Sequence, residues 1–64
     1  MDSERAQLSS ARTTLDDLVA KVADIAEGMH NQGQDAVAHD LFEVERALRM
    51  AQRRLDAVTR RMRR

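Results

Sequence analysis

Two unbroken heptad series, one in each half of the chain, constrain it more than any other feature. In the first half Leu8, Ala11, Leu15, Leu18, Val22, Ile25 and Met29 recur at alternating steps of three and four residues. In the second half Val37, Leu41, Val44, Leu48, Ala51, Leu55, Val58 and Met62 do the same. Apolar side chains at that spacing line one stripe of an α-helix and form a seam that must meet another apolar surface. The period-two alternation of a half-buried strand is absent. The chain therefore reads as two amphipathic helices, each three to four heptads long.

Between the series lies Gly28-Met29-His30-Asn31-Gln32-Gly33-Gln34-Asp35. Gly33 and Asn31 tolerate the left-handed backbone that stops a helix. Asp35 can accept from the first amides of a following helix, and its carboxylate suits the positive end of that helix dipole. The expected plan is one domain over residues 1–64, an all-α antiparallel two-helix hairpin. Helix one covers 3–30, the turn 31–34 and helix two 35–62. Folding the chain about Gly33 pairs Met29 with Val37, Ile25 with Leu41, Val22 with Val44 and Leu18 with Leu48. It also sets both seam alanines, Ala11 and Ala51, opposite leucines, which fills a layer with large against small side chains. Two alternatives stand beside this plan. Thr14-Leu15-Asp16-Asp17 resembles a capping box and could start a shorter first helix. A single straight helix through Gly28 and Gly33 is the other.

A 64-residue chain is marginal as an independent fold and usually needs disulfides, a metal or association with another chain. There is no Cys, which removes disulfides, zinc thiolates and a thiol nucleophile. Association remains. With Leu8, Leu15, Val22 and Met29 placed at heptad position a, and Leu41, Leu48, Leu55 and Met62 likewise, Val19 and Ala26 fall at e and Ala23 at b. In helix two Ala38 falls at e and Phe42 at b. These five residues form the expected flank for a second copy, giving a homodimeric four-helix bundle with Phe42 as its anchor. The plainer reading of Phe42 is that it folds over the loop and covers Met29 or Ala26.

Charge is balanced in total but divided along the chain. Residues 1–34 carry six acidic and three basic side chains, and residues 35–64 five acidic and eight basic. Arg49, Arg53, Arg60, Arg61, Arg63 and Arg64 make the second half a candidate contact for a polyanion or an acidic partner. Against this, no aromatic residue lies among the arginines to stack on bases, and cations at a helix C-terminus also complement its dipole. Asp16 and Asp17 are candidates to pair with Arg46, Arg49 or Arg53.

Catalytic chemistry finds little footing. His30 and His39 lack the i, i+4 spacing of a two-histidine helical metal site, and no Glu-x-x-His pattern occurs. No glycine-rich phosphate loop or nucleophile elbow is present. The expectation is a non-enzymatic protein with no cofactor and no metal. No apolar run nears the ~20 residues of a membrane span, and Met1-Asp2-Ser3-Glu4-Arg5 lacks a signal core, so a soluble cytoplasmic protein is expected. In length and plan the chain resembles the small plasmid copy-number repressors, which form dimers of helical hairpins and bind paired RNA loops; the resemblance is architectural and transfers no residue. Three roles fit: a self-associating adaptor or regulator, an Arg-rich nucleic-acid-binding regulator, and an accessory helical subunit of a larger complex.

Overall fold

A computed structural model describes residues 2–62 as two helices, α1 (Asp2–Asn31) and α2 (Asp35–Arg61), packed antiparallel. Neither helix contains Pro, and most positions are good helix formers such as Ala, Leu, Arg and Glu. Acidic residues open the helices (Asp2 and Glu4, then Asp35), and Arg60 and Arg61 close α2, so both ends of α2 suit its dipole. No second start interrupts α1 at Thr14. The Thr13 and Thr14 hydroxyls instead donate back to the Ser9 and Ser10 carbonyls at 3.3 and 3.2 Å, which satisfies them within a continuous helix.

The turn is a glycine-terminated helix end. Gly33 has φ +78°, the left-handed conformation that only Gly adopts without strain. Its amide donates to the His30 carbonyl at 3.0 Å, and the Gln34 amide reaches back to the Met29 carbonyl at 2.9 Å. Together these form a Schellman motif, which pairs carbonyls that the end of α1 would otherwise leave open. Asp35 is not the cap expected of it. Gln34 occupies that position with no side-chain cap bond, and Asp35 is already helical, its Oδ1 3.2 Å from His30 Nδ1.

The seam between the helices differs from the expected one. Position a is as read: Leu8, Leu15, Val22, Met29, Leu41, Leu48, Leu55 and Met62 are all partly buried. The second line of contact is position e rather than position d. Val19, Ala26 and Ala38, at e, are the buried residues of the described chain, at 5%, 0% and 2% exposure. Leu18, Ile25, Val37, Val44 and Val58, at d, remain 42–52% exposed. The proposed layers are therefore not formed as drawn, because each of Met29–Val37, Ile25–Leu41, Val22–Val44 and Leu18–Leu48 contains a half-exposed d residue. Side-chain size accounts for the choice. Ala26 and Ala38 let two backbones approach closely, whereas Ile25 and Val44 in their place would hold the axes apart.

Away from the turn the e line becomes polar and its groups are bonded across or along the seam. Gln52 Nε2 donates to Asp16 Oδ1 at 2.6 Å, and Arg12 Nε lies 2.8 Å from Asp56 Oδ1. Arg5 Nη2 donates to the Met62 carbonyl at 2.8 Å. The hairpin is thus apolar near the turn and polar near its open end, where hydrogen bonds and the Arg12–Asp56 ion pair join the helices and Arg5 Nε and Asp56 Oδ1 are buried without a hydrogen-bond partner. Its Cα extents are 49 × 15 × 9 Å and its radius of gyration 14.8 Å, against ~11 Å for a compact domain of this length.

Candidate interaction surface

The residues expected on an outer flank separate into two groups. Val19, Ala26 and Ala38 lie inside the hairpin and are unavailable to a second chain, and Ala23 is partly buried beside them. Phe42 alone stays well exposed, at 41%. The sequence frame errs here because a, d and e all carry apolar residues in α1, and spacing alone does not say which edge meets the sister helix.

The apolar surface left over is the d edge. In an antiparallel pair packed through a and e, the two d edges fall on one face of the hairpin. Leu18 and Ile25 from α1 lie there with Val37, Val44 and Val58 from α2, and Ala11, Ala47 and Ala51 extend the stripe. Five aliphatic side chains, each about half exposed, leave roughly 4–7 kcal/mol of further burial available per chain. Heptad spacing assigns these residues to the core. The signal that points outward is the polar complementarity at e and b, where Arg12 meets Asp56 and Gln52 meets Asp16.

Total surface is large for a chain of this mass. The accessible area is 5060 Å². A compact monomer of 7.3 kDa exposes about 4,200 Å². The excess, roughly 900 Å², is close to the ~800 Å² that each partner loses in a protein–protein interface of standard size.

The arginines are divided by their surroundings. Two donors of the Arg49 guanidinium, Nε and Nη2, bind Glu45 Oε2 at 3.0 and 2.7 Å, and Arg46 lies 3.7 Å from Glu43. Neither pairs with Asp16 or Asp17; Asp16 accepts from Gln52 instead. Arg53, Arg54, Arg60 and Arg61 make no ion pair among the described residues. Arg63 and Arg64 lie outside the described residues. Grooves beside the seam at the open end are shallow and open to solvent, one lined by Asp2, Arg5, Ala6, Ser9, Arg12 and Thr59. Among the described residues no group of three or more His, Asp or Glu is placed to hold a metal ion, and no helix is long and apolar enough to cross a membrane.

Comparison with family models, with curated proteins and with solved structures returns no match.

Proposed function

We propose that this chain is a non-enzymatic interaction module that self-associates, the d edges of two hairpins packing face to face as a four-helix bundle. The observation that carries the reading is the stripe of Leu18, Ile25, Val37, Val44 and Val58, half exposed along one face. A hairpin with only three buried residues among those described has little core with which to offset the conformational entropy of 64 residues. A second copy doubles the number of packed faces without adding any new sequence. The bundle serves as a small adaptor or regulator, and its exposed edges and ends are what another protein meets.

Concentration-dependent thermal unfolding tests this. Association stabilises the folded state by mass action, so the midpoint rises with protein concentration. A midpoint that is the same across a hundredfold range of concentration overturns the proposal.

A second reading draws on the arginines. Arg53 and Arg60 lie one heptad apart on the outward side of α2, with no ion pair among the described residues. They suit successive phosphates of a polyanion. Retention on RNA or DNA that weakens steeply with salt favours that role.

A further inference from the structure

The fold rearranges the charge of this chain in a way its linear order conceals. The helix midpoints fall near Asp16 and Leu48, and the Asp16–Gln52 hydrogen bond joins the two helices at that level. Residues 17–48, the half nearest the turn, carry seven acidic side chains and two basic ones, a net of −5. Residues 2–16 and 49–62, the open-end half, carry four acidic and seven basic, a net of +3. The hairpin is a rod with an acidic end and a basic end.

Resting on the self-association proposed above, we infer that the second copy docks on the d edge with its turn at the opposite end. The two-fold axis then runs perpendicular to the helices. Each acidic half lies over the basic half of the other copy. Turns placed together would set −5 against −5 and +3 against +3 across an interface about 10 Å deep, a little over one ~8 Å screening length, so the repulsion is reduced by salt but not removed.

The rim of the d edge fits the same arrangement. Arg54 and Asp40 both occupy position g of α2, beside the d stripe. With turns at opposite ends, α2 packs antiparallel on α2 of the second copy. Arg54 of each copy then stands about two residues, or ~3 Å along the axis, from the level of Asp40 in the other. The pair forms twice by symmetry. With turns together α2 faces α1, Arg54 meets the level of Thr14, and no acid of α1 lies at g to receive it.

The chain has no Cys, so a single Gln34→Cys substitution gives a unique labelling site in the exposed turn. Pulsed dipolar spectroscopy on the spin-labelled full chain should give an intermolecular distance near 40 Å, the length of α2. A distance under about 20 Å overturns the arrangement while leaving self-association standing. Absence of any intermolecular distance overturns self-association and this arrangement with it. Charge exchange gives an independent check. Asp40→Arg should weaken the dimer roughly tenfold, since both rim pairs are replaced by repulsions. Adding Arg54→Asp should restore it, and failure of that rescue counts against the arrangement.

Discussion

Ile25 and Ala26 are neighbours in sequence with opposite places in the structure, 52% and 0% exposed. Substituting each by Gln separates the two edges of α1. In a lone hairpin Ile25→Gln costs little, because the side chain is already half in water and Gln is at least as good a helix former. In the dimer it forfeits the remaining half of an Ile burial, about 0.8–1.5 kcal/mol per copy. Two copies make roughly 1.5–3 kcal/mol, a 10- to 150-fold rise in the dimer Kd. Ala26→Gln acts on the hairpin itself. A longer side chain between α1 and α2 forces them apart at a typical overpacking cost of 1–3 kcal/mol, with an amide left in an apolar seam. Sedimentation equilibrium measures the Kd, and far-ultraviolet circular dichroism the helicity. Ile25→Gln should keep helicity at concentrations where the dimer persists, whereas Ala26→Gln should lose it. The reverse pattern, with Ile25→Gln unfolding the hairpin and Ala26→Gln affecting association alone, would refute the assignment of e to the inner seam and d to the outer one.

Gly33→Ala should destabilise by about 1–2 kcal/mol, because φ +78° is left-handed backbone and no atom crowds an added Cβ; a fall of several degrees in melting temperature checks it. Arg12→Ala should cost only ~0.2–1 kcal/mol, since Arg12 and Asp56 keep 47% and 35% side-chain exposure, and a double-mutant cycle with Asp56→Ala should account for that loss. Arg53→Glu combined with Arg60→Glu should abolish any salt-dependent retention on RNA if the basic side of α2 is a polyanion contact, and retention that is unchanged excludes that side.

The hairpin was legible because three independent signals coincide: two heptad series, a glycine between them, and no residue that breaks either helix. Gly33 supplies the left-handed turn that its residue type permits. The seam was legible only in part. Position a follows from spacing alone, since both d and e are one helical turn away from it. The choice between d and e depends on how closely two backbones approach, a property of the pair Ala26 and Ala38 that neither helix reveals alone. Asp35 fails as a cap for a local reason: the Schellman turn brings Gln34 to that position and leaves Asp35 beside His30. The candidate interface moved with the seam. Val19, Ala26 and Ala38 went inside, while Leu18, Ile25, Val37 and Val44 came out. The acidic and basic ends are likewise a product of folding, because a sequence cut at the turn divides the charge by helix and the hairpin divides it by height.

Small-angle X-ray scattering of the unmodified chain over a range of concentrations tests the central claim most directly, since it reports mass and shape together. Two rods of radius of gyration 14.8 Å, stacked about 10 Å apart, should double the forward-scattering mass. Their radius of gyration should rise by only ~1 Å on that stacking. A particle that stays at 7.3 kDa at every concentration, or one that doubles in mass by growing in length, would contradict the claim that the d edge is closed by a second copy.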